Sequence, residues 1–451
     1  MLNLKMFVFG KSMSRSVSAS RLLYHSSHIN FSNIFSSTNC SMCHFSTSSQ
    51  TDIIPGAMTL PRYLNSVVKF KGPISVFEYM REALTNPLHG YYMHNDVFGQ
   101  SGDFITSPEI NQMFGELISI WIANEWMKLN KPKPLHLIEL GPGRGTMMSD
   151  ILRVFKKLNL LDNVSCHLVE ASPKMTRLQA KSLLIDPKTL NDEPNDTQCY
   201  CSGVTGDGVH VYWYNHFKSV PPAFSVVVAH EFFDALPIHK FRIILFQKTD
   251  KGWREVLIDS DPTDLEGKRF RYVLSPSPTV ATKLFVKESD PRCEFEVSPE
   301  SRIIMNELAI RLEQFGGMAL IADYGHDGSL PSVDTFRAYK GHKQIDPLYD
   351  PGSADLTADV DFSYLKNNTL NKLISLGPIT QKEFLSRMQI GVRMKALLEK
   401  CKDEEAKKSI VSGYNMMMDP EQMGERFKFM CFFPGVLKDY LEKMPVAGFS
   451  S

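Results

Sequence analysis

Apolar and polar positions alternate along the middle of the chain in the pattern of an α/β protein. Short apolar runs predict strands that are buried on both faces, and they lie at residues 135–140, 165–169, 209–214 and 225–229. Helices are predicted after the first run, where Ile151, Leu152 and Phe155 share one face, and after the second run, at residues 171–184. Strands that alternate with helices in this way predict a doubly wound parallel sheet.

The segments before this core have a different pattern. Two helices are predicted at residues 74–84 and 109–127, and Ser107 is the expected N-cap of the second, with Pro108 in its first turn. Between them lies a polar, glycine-rich stretch at residues 95–106. Such a stretch does not suit a buried element, and we interpret it as a lid or a ligand-lining loop.

The second half of the chain interrupts the α/β pattern and then resumes it. Meandering strands are predicted at 240–248, 253–258 and 269–274, followed by a helix at 299–315 and a strand at 317–323. Beyond residue 376 the pattern is mostly helical. The expected organisation is a leader (1–51), an N-terminal helical and lid region (52–130), a first core part (131–239), a strand-rich insertion (240–298), a second core part (299–376) and a helical C-terminal region (377–451).

Composition changes this picture at the N-terminus. The 451 residues include 50 basic and 50 acidic side chains, so no overall basic charge points to a nucleic acid as partner. Residues 1–51 contain no acidic residue and four basic ones, among many serines: Lys5, Lys11, Arg15 and Arg21. This is typical of a mitochondrial transit peptide, with a disordered tail as the alternative. The remaining body has 46 basic and 50 acidic residues and hence a formal charge near −4.

Two further kinds of feature are not expected. No stretch approaches the ~20 apolar residues that a membrane-spanning helix needs. The eight cysteines do not have the spacing of a zinc site, so no metal is predicted. The sequence leaves the oligomeric state open.

The turn after the first predicted strand carries the candidate chemistry. Glu139, Gly141, Gly143 and Gly145 lie at this strand-to-helix turn, where glycine permits positive φ and lets a ligand approach the backbone. The N-terminus of the next helix supplies N–H donors for a ligand carboxylate. Glu170 follows the second predicted strand, where it can accept hydrogen bonds from ribose hydroxyls.

The spacing distinguishes two classes of ligand. The dinucleotide fingerprint G-x-G-x-x-G would need a third glycine at Thr146, but Gly145 lies one residue earlier. This disfavours an NAD-dependent oxidoreductase. The observed order, acid-x-G-x-G-x-G, resembles motif I of class I S-adenosylmethionine-dependent methyltransferases.

Further runs extend this resemblance to most of residues 70–435, and they lie at 102–109, 114–116, 230–237, 322–325, 351–357 and 360–362. In this order they resemble the MidA-like family. The resemblance implies a class I (Rossmann-like) methyltransferase fold with S-adenosyl-L-methionine as cofactor. Together with the leader, it implies a type II protein arginine methyltransferase of the mitochondrial matrix. It further implies that this enzyme symmetrically dimethylates an arginine in a core subunit of respiratory complex I and is needed for complex I assembly.

An arginine acceptor needs carboxylates near the cofactor. Its guanidinium is cationic, with a pKa of about 13, so carboxylates must orient it and help to remove a proton. Glu231 and Asp234 follow the run at 225–229, at the sheet edge where ligands bind, and are the candidate catalytic residues. Alternatively, they are solvated loop residues or make structural hydrogen bonds. Asp323 and Asp355 are further acidic candidates, and His230 is a candidate base that is more often structural in such a position.

The candidate cofactor-binding residues are Glu139, Gly141, Gly143, Gly145, Glu170 and, in the predicted lid, Gly102, Asp103 and Thr106. The intact set of Glu139, Gly141, Gly143 and Gly145, together with Glu170, argues against a decayed cofactor pocket. A non-catalytic complex I assembly chaperone that retains the methyltransferase fold is the alternative function.

Overall fold

The computed structural model describes residues 58–94, 107–187, 190–191, 199–246, 250–330 and 333–449. The predicted transit peptide and the predicted lid loop at 95–106 lie outside these ranges. The strands are β1 (Ile74–Ser75), β2 (Leu135–Leu140), β3 (Val164–Val169), β4 (Cys201–Val204), β5 (His210–Tyr214), β6 (Phe224–His230), β7 (His239–Phe246), β8 (Asp250–Ser260), β9 (Phe270–Leu274), β10 (Glu294–Val297), β11 (Gly317–His326), β12 (Arg337–Lys340), β13 (Lys343–Ile345), β14 (Asp355–Thr357), β15 (Val360–Asp361), β16 (Leu373–Thr380) and β17 (Phe427–Pro434).

The α-helices connect these strands and extend the chain at both ends. They are α1 (Leu60–Lys71), α2 (Val76–Thr85), α3 (Tyr91–His94), α4 (Ser107–Ile110), α5 (Gln112–Lys128), α6 (Thr146–Lys157), α7 (Pro173–Leu183), α8 (Val280–Phe285), α9 (Pro299–Phe315), α10 (Phe362–Asn367), α11 (Gln381–Arg387), α12 (Ile390–Lys400), α13 (Glu404–Met418) and α14 (Lys438–Lys443). Across the described residues, no helix is long and apolar enough to cross a bilayer.

The main sheet confirms the predicted α/β fold. Its strand order is β16-β17-β11-β6-β2-β3-β5-β4, and the pairs from β11 through β6, β2 and β3 to β5 are parallel. After β2, the chain adds β3 and β5 on one side of β2, and then adds β6 and β11 on the other side. The strand order therefore reverses between β2 and β6. In doubly wound sheets, ligands bind at such a switch point, at the carboxyl ends of the strands.

The sequence pattern predicts a mostly helical C-terminal region, but this region also supplies an interior strand of the main sheet. Strand β17 inserts between β11 and β16 and is antiparallel to both. Its apolar residues, such as Phe429 and Phe433, are fully buried because helices cover both faces of the sheet. The sequence FKFMCFFP therefore forms an interior strand, and the helices α11 to α13 pack against this end of the sheet.

The predicted strand-rich insertion forms a separate antiparallel sheet. Strand β7 pairs with β8 on one side and with β10 on the other. Strand β8 also pairs with β9 and with β1 from the N-terminal region. A second small sheet has the order β13-β12-β14. Helices α1 and α2 share one apolar core with both sheets, and Tyr79, Ile258 and Leu356 lie in it.

Two predicted helix starts differ from the structure. Ser107 and Pro108 belong to the single-turn helix α4, whereas the long helix α5 begins after Asn111, whose side chain caps it by accepting from the Met113 N–H at 3.0 Å. Helix α2 begins at Val76 rather than at residue 74 because Ile74 and Ser75 pair with β8.

Candidate active site

The turn between β2 and α6 forms a glycine cradle, which we define as Gly141, Gly143 and Gly145. All three have positive φ, at 62°, 52° and 80°, a region that other residues rarely adopt. A Cβ on Gly141 would lie 2.8 Å from Cδ2 of Phe232. The first glycine is therefore required by both conformation and space, and Gly145 is the N-cap of α6.

Glu139 lies on β2 immediately before the cradle. It is 2% exposed, and its Oε2 is buried without a hydrogen-bond partner. Burial raises the pKa of this carboxyl from 4.5 to about 8, because a low-dielectric environment disfavours the charged form. A buried carboxyl that lacks a partner suits a cationic or N–H-donating ligand.

Glu170 follows β3 and is tied to the cradle by a glutamine. Its Oε1 accepts from the Ser172 N–H at 2.8 Å, and its Oε2 accepts from Gln179 Nε2 at 2.9 Å. Gln179 Nε2 also donates to the Gly143 carbonyl at 2.8 Å. Burial raises the pKa of Glu170 to about 7, against the effect of these hydrogen bonds. Gln179 is not among the predicted site residues, because nothing in the local pattern of α7 marks it.

The segment after β6 is held in place by Asp323 from β11. Oδ2 of Asp323 accepts from the N–H groups of Phe232 and Phe233 at 3.1 and 2.9 Å. Glu231 has a φ of 49°, and its N–H donates to the Ala322 carbonyl at 3.1 Å. Asp323 is fully buried, so this acidic candidate has a structural position beneath the segment that presents Glu231 and Asp234.

Glu231 and Asp234 belong to a group that we call the acidic cluster, defined as Glu231, Asp234, Asp355 and Asp359. Burial raises the pKa of Asp234 to about 7, although the positive charge of Arg337 opposes the shift. Burial, together with the negative charge of Asp234, holds the pKa of Glu231 well above its ordinary value. Such mutual repulsion at the carboxyl edge of a sheet favours the arrival of a cation.

A cavity lies beside the cradle and reaches Glu231, the one member of the acidic cluster that lines it. Its lining includes Glu139, Gly141, Gly143, His230 and Glu231. His230 Nε2 and Glu231 Oε1 are buried without hydrogen-bond partners and lie 3.5 Å apart. Burial lowers the pKa of His230 to about 3, so its imidazole is neutral at physiological pH.

The structure thus brings most of the candidate residues together. Glu139, Gly141, Gly143 and Glu231 line one cavity, and Glu170 is connected to it through Gln179. Three candidate cofactor contacts lie outside the described residues: Gly102, Asp103 and Thr106. Within the described ranges, no group of three or more His, Cys, Asp or Glu is arranged to hold a metal ion.

The chain is similar in sequence to known proteins. A family described as "Putative S-adenosyl-L-methionine-dependent methyltransferase" matches residues 117–379. The mitochondrial protein arginine methyltransferase NDUFAF7 of Xenopus tropicalis is 46% identical over 424 residues, which are 92% of this chain and 96% of that protein. The Homo sapiens protein of the same name is 48% identical over 376 residues, 83% of either chain.

A solved structure extends the comparison to the fold. A Burkholderia thailandensis protein bound to S-adenosyl-homocysteine matches with a TM-score of 0.65 at 22% identity, over 84% of this chain and 92% of that chain. The fold and the sequence relatives confirm the resemblance to the MidA-like family. The chain belongs to this family of S-adenosyl-L-methionine-dependent methyltransferases.

Proposed function

We propose that the protein is a type II protein arginine methyltransferase of the mitochondrial matrix. Its substrate is an arginine in a core subunit of complex I, which it converts to symmetric ω-N,N′-dimethylarginine during complex I assembly. The names of the relatives and the acid-free leader support an arginine substrate and a mitochondrial location. The observation that carries the proposal is the acidic cluster beside the glycine cradle, because it suits a guanidinium.

The residues of the cradle fit S-adenosyl-L-methionine. Gly141 leaves the turn without a side chain at positive φ, so a ligand can approach its backbone, and the unpartnered Oε2 of Glu139 suits the cationic methionine part of the cofactor. Glu170 would accept hydrogen bonds from the ribose hydroxyls. The first turn of α6, which begins at Thr146, offers N–H donors that no intrahelical bond uses. Gly102, Asp103 and Thr106 would add contacts from the predicted lid.

Glu231 and Asp234 would bind and deprotonate the acceptor. When bound, the cofactor supplies a methyl group on a sulfonium, whose S–C bond breaks as the acceptor nitrogen forms the new N–C bond. Two carboxylates orient the planar guanidinium, since its N–H donors form a fork that matches carboxylate oxygens. Glu231, which borders the cavity, would accept the proton that this nitrogen loses.

The raised pKa values of these carboxyls fit this role. A carboxyl whose pKa lies near 7, such as that of Asp234, accepts a proton more readily than an ordinary aspartate. The arriving guanidinium favours the ionised carboxylates and stabilises them by its charge. The buried Asp323 would keep both carboxylates aimed at the acceptor through its hydrogen bonds to the backbone.

The test is the methylation state of complex I in cells that lack the protein. Mass spectrometry of the complex I core subunits should show one symmetric dimethylarginine that disappears in the null cells and returns with the wild-type protein. Glu231→Gln should not restore it. A dimethylarginine that is unchanged in null cells refutes the proposal. Full assembly of unmethylated complex I with Glu231→Gln would instead indicate a non-catalytic chaperone.

A further inference from the structure

His230, the last residue of β6, and Glu231, which follows it, present two buried polar atoms to the same cavity. The His230 side chain is 5% exposed, and its Nε2 lies 3.5 Å from Glu231 Oε1, beyond the usual length of an N–H···O bond. Neither atom has a hydrogen-bond partner among the described residues, and both residues line the cavity beside the cradle. Because a buried polar atom is costly to leave unpaired, the two atoms together point to a ligand with N–H donors.

Aromatic neighbours hold the His230 ring in place. The Phe114 ring on α5 lies 4.9 Å from it in an edge-on arrangement, and the Phe427 ring on β17 lies 5.2 Å away. Burial in these surroundings keeps the imidazole neutral and lowers the pKa of His230 to about 3. A neutral imidazole has one N–H and one nitrogen lone pair. His230 is thus too weak a base to take a proton from a guanidinium, but with its hydrogen on Nδ1 it can accept a hydrogen bond at Nε2.

A reacting arginine nitrogen offers two donors to this pair of atoms. A terminal guanidinium nitrogen carries two N–H groups, and both lie in the plane of the guanidinium. The nitrogen attacks the methyl group perpendicular to that plane, so both N–H groups can form hydrogen bonds during the reaction. In the proposed reaction, Glu231 accepts one of the two protons as the N–C bond forms and the S–C bond breaks. The other N–H also needs an acceptor, and His230 Nε2 is adjacent to Glu231 Oε1.

The number of N–H groups distinguishes the two routes to dimethylarginine. In the symmetric product, each methyl group was added to a nitrogen that still carried two hydrogens. In the asymmetric product, the second methyl group was added to a nitrogen that had one methyl group and one hydrogen. Two acceptors at the reacting nitrogen favour the symmetric route, because in the asymmetric route one acceptor would face a methyl group and stay unpaired.

Building on the proposed arginine methylation, we propose that His230 is a specificity-determining residue, whose Nε2 accepts a hydrogen bond from the second N–H of the reacting nitrogen. Glu231 accepts the proton that this nitrogen loses. A nitrogen that already carries a methyl group leaves Nε2 unpaired, which disfavours its reaction by about 10- to 100-fold. The two residues thereby direct the second methyl group to the other terminal nitrogen, which gives the symmetric product.

The test uses the full chain and an acceptor that has not yet been methylated. Mitochondrial protein from cells that lack the protein is incubated with tritiated S-adenosyl-L-methionine and hydrolysed, and chromatography separates symmetric from asymmetric dimethylarginine. Counts from an incubation without added enzyme are subtracted. The wild-type protein should form the symmetric product. His230→Leu, which removes the nitrogen acceptor, should raise the ratio of asymmetric to symmetric product by about tenfold or more, and calorimetry should show an affinity for the cofactor close to wild type.

Two further variants of His230 separate the acceptor from the shape of the side chain. His230→Gln is the conservative variant, because its amide oxygen can accept a hydrogen bond near the position of Nε2, and it should keep the symmetric product. His230→Phe retains an aromatic ring between Phe114 and Phe427 but has no acceptor. It should form asymmetric product as His230→Leu does, and it replaces that variant in the assay if the leucine protein does not fold.

The matched control is another histidine with aromatic neighbours. The His239 side chain, on β7, is 15% exposed, and its ring stacks on Phe77 with 5.0 Å between the centroids. Unlike Nε2 of His230, its Nδ1 already pairs with Glu255 at 2.6 Å, in the separate antiparallel sheet. His239→Leu should leave the ratio of the two products unchanged, even where it lowers stability.

The outcomes separate the inference from the function on which it rests. A folded His230→Leu protein that forms no asymmetric product overturns the inference and leaves the proposed function intact. Equal amounts of asymmetric product from His230→Gln and His230→Leu also overturn it, because an acceptor at this position would then not matter. Loss of both methyl transfer and cofactor binding in the leucine and phenylalanine variants overturns it as well, since His230 would then be structural. If the wild-type protein forms no symmetric dimethylarginine, the proposed function itself fails, and the inference fails with it.

Discussion

The buried carboxyl of Glu139 should make the free energy of unfolding depend on pH, and the size of this effect follows from its raised pKa. Its pKa is raised from 4.5 to about 8 in the folded protein, a difference that corresponds to about 5 kcal/mol. For a carboxyl with a raised folded pKa, the stabilising contribution is fully present below the unfolded pKa and is lost as the pH rises through the folded pKa. About 2 kcal/mol of this loss falls between pH 6 and pH 8.

Glu139→Gln removes the titrating group and keeps nearly the same shape. The free energy of unfolding of the variant, relative to wild type, should therefore rise by about 2 kcal/mol from pH 6 to pH 8. Urea unfolding of both proteins at pH 6, 7 and 8, followed by circular dichroism, measures this difference. Other buried carboxyls such as Glu170 titrate in both proteins, so their contributions cancel in the comparison.

The control is Glu405→Gln, since Glu405 lies in an ion pair whose side chains are 80% and 74% exposed. Its stability difference from wild type should stay within about 0.5 kcal/mol at every pH. A difference between Glu139→Gln and wild type that stays flat from pH 6 to pH 8 would refute the raised pKa. It would also contradict the argument that the buried carboxyl of Glu139 suits a cationic ligand.

Four further outcomes are expected. Glu231→Gln should bind S-adenosyl-L-methionine in calorimetric titration with an affinity close to wild type and lose arginine methylation, and loss of both would place Glu231 in the cofactor site instead. Wild-type methyl transfer should rise between pH 6 and pH 8, because Asp234, with a pKa of about 7, must be ionised to hold a guanidinium; a flat profile contradicts this. Gly143→Val should abolish cofactor binding, since its φ of 52° and the approach of a ligand both exclude a branched side chain, and unchanged binding would move the cofactor away from the cradle. Glu116→Gln should destabilise the protein by about 1 kcal/mol, because Glu116 accepts from Arg153 at 2.8 Å and from Arg393 at 2.6 Å while both arginines remain partly exposed to water. Hydrogen exchange in α12 should speed up, and unaltered exchange would show that these ion pairs do not hold the helix.

The core of the fold was predictable because its signals are local. Buried parallel strands are continuous apolar runs, and the run at Leu135–Leu140 coincides with β2. The helix at Pro299–Phe315 was equally clear, since its proline at the start and its glycine at the end mark both termini. The glycines of the cradle were found for the same reason, because their spacing encodes the turn.

The parts that could not be predicted depend on contacts between distant residues. Strand β14 has three residues, too few for a periodic pattern, and its place depends on pairing with β12. The hydrogen bond from the Tyr92 hydroxyl to Asp355 spans 263 positions. The role of Asp323 was not visible either, because its partners are backbone N–H groups about ninety residues earlier.

Strand β17 carries a signal that was misread rather than absent. The helical spacing beyond residue 376 predicts a helical region that includes this apolar run. However, eight residues rich in aromatic side chains are typical of a buried strand. The neighbouring helices α11 to α13 have helical spacing, and the run was grouped with them. Length and aromatic content would have separated the strand from its surroundings.

The position of β17 has a consequence for how the chain is made. The strand that fills the gap between β11 and β16 begins at Phe427, far along the chain from the end of β11 at His326. On the ribosome, β11 therefore has an open edge until β17 has been synthesised. Because Asp323 on β11 pairs with Lys428, the strand that holds the segment after β6 gains this neighbour only then. A chain cut just before Phe427 should thus lack a stable sheet, although it contains every strand from β2 to β11.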